Sequence, residues 1–326
     1  MVRVTGGFVT TVLRWRVSRY LKLLTFMVAV TVLLSLGFVA GKRSGADSSP
    51  TVRSSSGQPF YLVIGASSSQ GVQPSGVPSS NSRRTQDGYA NDVVALEQKK
   101  HVNFELNQIG CPGETAESML NTAVADHCYT LPTTQLTLAL NFLHANQSRA
   151  GLVTIDLGFN DIRPCLTGPQ VIESCVTQGL NYVRNDLPKV LTQLKAAAGP
   201  QVHFVGFNYE DPFVAHYLEG PASIANAQET LTDMGRMDQV LNSVYANAKI
   251  PVANLEGTFE SLNSSPDVIP NVGTVPVNVA FACYYTWMCQ PKPFGPDDHP
   301  NNPGYMLIAE AIVKVLPGPW RIPVVH

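Results

Sequence analysis

Four short segments carry side chains that together could perform acyl-transfer chemistry. Three of them directly follow apolar runs and the fourth lies near the C-terminus: residues 65–71 (GASSSQG), 110–115 (GCPGET), 158–161 (GFND) and 295–301 (GPDDHPN). A serine hydroxyl is a weak nucleophile until a neighbouring base removes its proton. Ser67 is therefore the candidate nucleophile. His299, with Asp297 or Asp298 to orient its ring, is the candidate base.

The second and third segments offer groups that could stabilise a negatively charged oxygen. Gly113 lies in a loop whose glycines let the backbone approach a ligand and direct an N–H group at it. Asn160 can aim its side-chain amide at a developing oxyanion. Taken singly, each of the four segments also fits an ordinary turn, loop or helix cap. The nucleophile elbow of α/β-hydrolases is disfavoured, because it requires glycine at position 69, where this chain has serine.

The segments are separated by an alternation of strand and helix patterns. Apolar or alternating runs predict strands at residues 60–64, 102–109, 152–157, 202–207 and 250–255. Amphipathic periodicity predicts helices at residues 87–99, 134–144, 171–198, 224–248 and 303–316. This order predicts a three-layer α/β/α sandwich with a mainly parallel, five-stranded, flavodoxin-like sheet. Ligands of such sheets bind beyond the carboxyl ends of the strands, where the chemical segments lie.

In their order and content, the four segments resemble the conserved blocks of the SGNH (GDSL-type) hydrolase family. The first block, Gly-Asp-Ser-Leu-x-x-Gly, is matched at Gly65, Ser67 and Gly71. The third block, Gly-x-Asn-Asp, is matched in full at residues 158–161, and the His-Pro of the last block at residues 299–300. The resemblance covers about residues 59–320. The segments GCPGET, TWMC and DDHPNNPGY are similar to a secreted, actinobacterial-type branch of the family.

The resemblance implies a role for each site residue. Ser67 would be the nucleophile and His299 the general base. The oxyanion hole would consist of the backbone N–H groups of Ser67 and Gly113 and the side chain of Asn160.

Two positions depart from the family pattern. The acid usually lies three residues before the histidine, where this chain has Pro296, so Asp297 is the expected acid and Asp298 the alternative. Ala66 replaces the aspartate of the first block, which we expect to affect the local turn more than the chemistry.

The N-terminal segment predicts export. Seven basic and no acidic residues precede Ser44, and residues 23–40 form an apolar run that as a helix would be roughly 27 Å long, close to the thickness of a bilayer core. We expect a cytoplasmic basic segment at 1–22, a transmembrane signal anchor at 23–40, a Ser/Gly-rich linker at 41–58 and one hydrolase domain at 59–326. A signal peptide cleaved after Gly41 or Ala46, which would release the protein, is the alternative.

The charge and the cysteine content limit which partners and cofactors are expected. The 24 acidic residues outnumber the basic residues that follow position 43 by nine, so nucleic-acid binding is not expected. In an oxidising compartment, pairing of neighbours along the chain would join the six cysteines as 111–128, 165–175 and 283–289, although fifteen pairings are possible. The cysteines and histidines lack the spacing of metal ligands, so we expect no metal or other cofactor.

The sequence thus predicts a monomeric, extracytoplasmic esterase or lipase that acts on a small-molecule or lipid-like ester. Two alternatives stay open: a carbohydrate O-acetyl esterase of the same fold, and a surface-displayed binding domain without catalysis. The aromatic segment 284–288 (YYTWM) fits either core packing or one wall of an acyl pocket.

Overall fold

The central element is a five-stranded parallel sheet, as predicted. The computed structural model describes residues 57–77, 82–121, 128–270 and 272–317. The strands of this sheet are β1 (Phe60–Gly65), β2 (Glu105–Gln108), β3 (Gly151–Asp156), β4 (Val202–Phe207) and β5 (Val252–Ala253), in the spatial order β2-β1-β3-β4-β5. All neighbours are parallel, and Gly65 at the end of β1 is in register with Asp156 at the end of β3. The carboxyl ends of β1 and β3 therefore lie side by side.

Helices form the outer layers of a three-layer α/β/α sandwich. They are α1 (Tyr89–Gln98), α2 (Gln135–Ala145), α3 (Phe159–Leu166), α4 (Glu173–Ala197), α5 (Ile224–Ala248), α6 (Leu255–Thr258), α7 (Val277–Tyr285) and α8 (Asn302–Val315). Helix α1 packs against α8, and α4 packs against α2 and α5. Every residue of β1 and β3 is buried, because a parallel sheet is covered on both faces.

Local sequence signals explain where the long helices lie. Leu180, Leu187 and Leu194 recur at helical spacing in α4 and are all buried. Helix α2 begins after Thr134, whose side chain accepts the Thr137 backbone N–H while the Thr137 side chain accepts that of Thr134. This reciprocal capping box satisfies two N–H groups that a helix start would otherwise leave unpaired.

Several elements were not predicted. These are α3, α6, α7, a 3-10 helix at Pro212–Glu219 and an antiparallel hairpin of β6 (Pro266–Ile269) and β7 (Gly273–Pro276). Helix α3 contains Pro164, and the hairpin strands have four residues each, so neither shows a sustained hydrophobic period. Strand β5 is shorter than predicted, because Asn254 caps α6 directly after it.

The six cysteines form three disulfides, Cys111–Cys128, Cys165–Cys175 and Cys283–Cys289. These are the pairs expected from neighbouring positions along the chain. The expected segments 1–22 and 23–40, and all but the last two residues of the linker 41–58, lie outside the described residues. Among the described residues, no helix has the length and apolar character needed to cross a membrane.

Candidate active site

The residues singled out in the sequence line one cavity of about 610 Å³. Ser67, Gly113, Asn160, Asp297 and His299 all contribute to its wall. They come from four separate stretches of the chain. Ser67, Gly113 and Asn160 follow β1, β2 and β3, so the three neighbouring strand ends bring them together.

Ser67 lies in a tight turn directly after β1. The turn starts at Gly65, which has φ +132°, and a Cβ atom at this position would lie 2.2 Å from the carbonyl oxygen of Asp156. Only glycine fits this conformation and this contact. Ser67 then precedes a 3-10 helix, Ser68–Gln70, and its carbonyl oxygen accepts the N–H groups of Gln70 and Val72 at 3.0 and 3.2 Å. The backbone on both sides of Ser67 is thus fixed.

His299 is held by Asp297. The Nδ1 atom of its ring lies 2.7 Å from Oδ1 of Asp297, and the His299 backbone N–H donates to the same oxygen at 3.0 Å. The hydroxyl of Ser82 donates to the other carboxylate oxygen at 2.8 Å. Both oxygens of Asp297 are therefore engaged, and the Nε2 side of the imidazole is the one left for a proton taken from a substrate or nucleophile.

The pKa values of this pair shift in opposite directions. Burial alone would raise the pKa of Asp297, but the hydrogen bond and the charge of His299 outweigh it and lower this pKa. Burial alone would lower the pKa of His299, but the hydrogen bond and the charge of Asp297 raise it above its ordinary value of 6.5. Each partner thus stabilises the charged form of the other.

The adjacent acid, Asp298, has a different partner. Arg163 of α3 binds its two carboxylate oxygens through Nη2 and Nε, at 2.8 and 2.5 Å. The Asp298 side chain is 7% exposed and that of Arg163 is 39% exposed. A bidentate pair of this kind fixes the orientation of the carboxylate. Of the two candidate acids, Asp297 is the one that contacts the imidazole.

The same cavity wall includes the candidate oxyanion donors, Gly113 and Asn160. Gly113 has φ +89°, a conformation that glycine adopts readily. The Asn160 amide donates to the carbonyl oxygen of Glu114 at 3.2 Å, and an amide has two N–H donors. The Asp161 carboxylate accepts the Ala116 backbone N–H at 2.9 and 3.2 Å, and burial raises the pKa of Asp161 to about 7. These bonds hold the start of α3 against the loop that contains Gly113.

Asp297, Asp298 and His299 form a group with ligand atoms within 4.8 Å of one another, close enough to be tested as a metal site. The guanidinium of Arg163 already supplies the cation for Asp298. Asp297 is engaged by His299 and Ser82. The donor set is therefore arranged as a hydrogen-bonded network with an arginine, which fits a base and its orienting acid better than a metal cage.

The aromatic segment 284–288 is divided between core and site. Tyr285 packs against the main core. Trp287 stacks on Phe294, with ring centroids 5.8 Å apart, and Phe294 lines the cavity. Tyr284 and Met288 line a separate apolar groove of about 520 Å³, and Pro296 lines both this groove and the cavity.

Several solved structures have an architecture similar to that of this chain. No protein-family model and no curated protein matches the sequence. Among solved structures, an extracellular lipase from Streptomyces rimosus aligns with a TM-score of 0.51 and 18% identity, over 79% of this chain and all of the lipase. A phospholipase A1 from Streptomyces albidoflavus aligns at 0.48 and 17%, over 79% and 99% of the two chains. An acetyl-xylooligosaccharide esterase from Geobacillus stearothermophilus aligns at 0.45 and 15%, over 79% and 94%.

The chain therefore has the fold of the SGNH hydrolases. Of the three structures, the Streptomyces rimosus lipase carries this assignment, since its TM-score exceeds 0.5. At 18% identity the similarity establishes the fold, whereas the chemistry has to be argued from the site. The expected relationship to a secreted, actinobacterial-type branch stays a prediction.

Proposed function

We propose that the protein is a serine hydrolase of carboxylic esters that works through an acyl-enzyme intermediate. The observation that carries this proposal is the 2.7 Å contact between His299 and Asp297 in the wall of the cavity that Ser67 also lines. A histidine oriented by a carboxylate is the device that activates a serine hydroxyl.

The reaction has two half-steps. His299 Nε2 takes the proton of the Ser67 hydroxyl as Oγ bonds to the ester carbonyl carbon, and it returns that proton to the departing alcohol when the C–O bond breaks. A water molecule then gives a proton to His299 and attacks the acyl-Ser67 carbon. The carboxylic acid leaves, and Ser67 recovers its proton. Asp297 holds the ring through Nδ1 and stabilises the imidazolium in both half-steps.

The tetrahedral intermediates need donors for their negative oxygen. The backbone N–H groups of Ser67 and Gly113, with the second N–H of the Asn160 amide, are proposed to supply them. The bonds that fix Asn160 and Asp161 against the Gly113 loop support this assignment, because a preorganised donor costs no rearrangement during the reaction.

The surroundings of the cavity favour a small-molecule or lipid-like ester over an acetylated sugar. Phe294, which lines the cavity, is 43% exposed, and the apolar groove at Pro296 adjoins the cavity. Apolar surface beside a polar catalytic centre suits an alkyl or acyl chain.

The disulfides are typical of an oxidising compartment and support a site of action outside the cytoplasm. With the basic and apolar segments at 1–40, the proposal is a membrane-anchored enzyme whose catalytic domain faces outwards, or a secreted enzyme if the segment is cleaved.

Hydrolysis of p-nitrophenyl acetate, butyrate and octanoate by the full-length protein in mild detergent tests the function, with Ser67→Ala as control. We expect turnover that rises with chain length and vanishes in the variant. Turnover of acetate alone would favour the O-acetyl esterase. No turnover, together with no labelling of Ser67 by a fluorophosphonate, would favour a binding domain and contradict the proposal.

A further inference from the structure

Asp156, the last residue of β3, lies buried beneath the turn that carries Ser67. It lies at the carboxyl end of the sheet, and the residue is 2% exposed. Carboxylate Oδ2 accepts the backbone N–H of Ser69 at 3.0 Å, and Oδ1 accepts the hydroxyl of Tyr209 at 2.8 Å. Its carbonyl oxygen accepts the Ala66 N–H at 2.9 Å. Asp156 thus binds the backbone immediately before and shortly after Ser67.

The Ser69 N–H that Asp156 accepts lies in the first turn of a short helix. Ser67 precedes the 3-10 helix Ser68–Gln70 and has helical backbone angles, φ −65° and ψ −38°. A serine that caps a helix with its own hydroxyl has an extended backbone instead, and it then accepts the N–H of the second or third helical residue. Ser69 is the second helical residue. Within the described residues, the Ser67 side chain makes no capping bond to this helix. In the observed conformation of the turn, the acceptor for this N–H is Asp156.

We propose that Asp156 is a positioning residue that keeps the Ser67 hydroxyl available for His299 by accepting the Ser69 N–H in its place. This inference rests on the proposed function of Ser67. It also gives a physical reason why the turn tolerates Ala66, since the carboxylate that anchors the turn comes from the neighbouring strand. Without Asp156, the buried Ser69 N–H would lack its acceptor, and a change of the Ser67 backbone to the extended conformation would let the Ser67 hydroxyl accept it instead.

The test compares Asp156→Leu with Asp156→Asn. Leucine has the same branched arrangement of side-chain heavy atoms as aspartate but accepts no hydrogen bond, so we expect fluorophosphonate labelling of Ser67 and kcat to fall by about 10²-fold with KM little changed. Asparagine keeps an acceptor for Ser69, so Asp156→Asn should label near the wild-type rate. A crystal structure of the leucine variant should show Ser67 Oγ accepting the Ser69 N–H.

Asp211→Leu is the matched control. Asp211 is 4% exposed and, like Asp156, accepts one backbone N–H and one hydroxyl, those of Phe213 and Thr230, both at 2.9 Å, and both partners lie outside the Ser67 turn. We expect this variant to lose stability and keep its labelling rate when folded. If Asp156→Leu does not fold, Asp156→Ser takes its place, because the serine oxygen is one bond too short to reach Ser69.

The outcomes separate this inference from the function on which it rests. If the wild type neither labels nor hydrolyses esters, the proposed function fails. If the wild type is active and folded Asp156→Leu or Asp156→Ser labels at the same rate, only the positioning role is overturned. An equal loss of labelling in Asp211→Leu would likewise overturn it, because the general loss of a buried carboxylate would then explain both.

Discussion

One oxygen of Asp297 binds His299 twice, accepting its backbone N–H at 3.0 Å and lying 2.7 Å from its ring Nδ1. A spacing of two residues makes this double contact possible, because the side chain closes a tight turn of its own backbone. The usual acid position, three residues before the histidine, is Pro296, which has no acidic side chain. The shorter spacing therefore supplies both the acid and the turn that aims the ring.

Asp297→Asn should lower kcat by about 10²–10⁴-fold, because an amide can neither hold the required tautomer of the imidazole nor stabilise the imidazolium. Ester hydrolysis at saturating substrate measures this loss. Asp298→Asn is the matched control: it weakens the bond to Arg163 and leaves the His299 ring contact in place, so its loss should be far smaller. Equal losses in the two variants would contradict the assignment of Asp297.

The pH profile should report the raised pKa of His299. The base acts in its neutral form, so kcat/KM should fall as the pH drops through a pKa that lies above 6.5. In Asp297→Asn the bond and the charge that raise this pKa are weakened, and the acid limb should move to lower pH. An acid limb that does not move between the two proteins would argue against coupling of these residues.

Asn160→Ala should reduce kcat by about 10²–10³-fold with little change in KM, since the amide is proposed to contact the oxyanion only as charge develops. Asn181→Ala, on the exposed face of α4, serves as the control and should be unaffected. Wild-type turnover in Asn160→Ala would contradict the proposed role of Asn160.

Stability should decrease from pH 5 to pH 9. Burial raises the pKa of Asp161, Glu210 and Asp211 to about 7. It raises the pKa of Asp238 to about 8. These groups release their protons near pH 4 in the unfolded chain but hold them to pH 7 or 8 when folded. Their contribution to the free energy of unfolding is therefore complete below pH 4 and is lost as the pH rises through 7–8.

Thermal unfolding followed by circular dichroism at pH 5, 7 and 9 measures this trend. In Asp238→Asn the buried group no longer titrates, so the drop in Tm between pH 7 and 9 should be smaller than in the wild type. A Tm that is constant or rises over this range would show that the buried carboxyl groups are ionised in the folded protein.

The sequence was sufficient for the features that depend on neighbouring residues. The five strands, the long helices and the pairing of Asp297 with His299 all follow from local patterns. The partners Ser82 and Arg163 were missed because their contacts with Asp297 and Asp298 join positions 215 and 135 residues apart. Asp156 falls within the predicted strand 152–157 but was not singled out, because its contact with Ser69 depends on how β1 and β3 pair in register.

The disulfides stabilise a different part of the domain from the apolar core. None of the cysteines lies in β1–β5, whereas Cys111 is two residues before Gly113, Cys165 shares α3 with Asn160, and the Cys283–Cys289 loop leads to the segment that holds His299. Apolar packing thus secures the scaffold, and covalent links secure the walls of the cavity. In a reducing compartment only apolar packing is available to stabilise the domain, whereas the walls of the cavity gain their covalent links where thiols are oxidised.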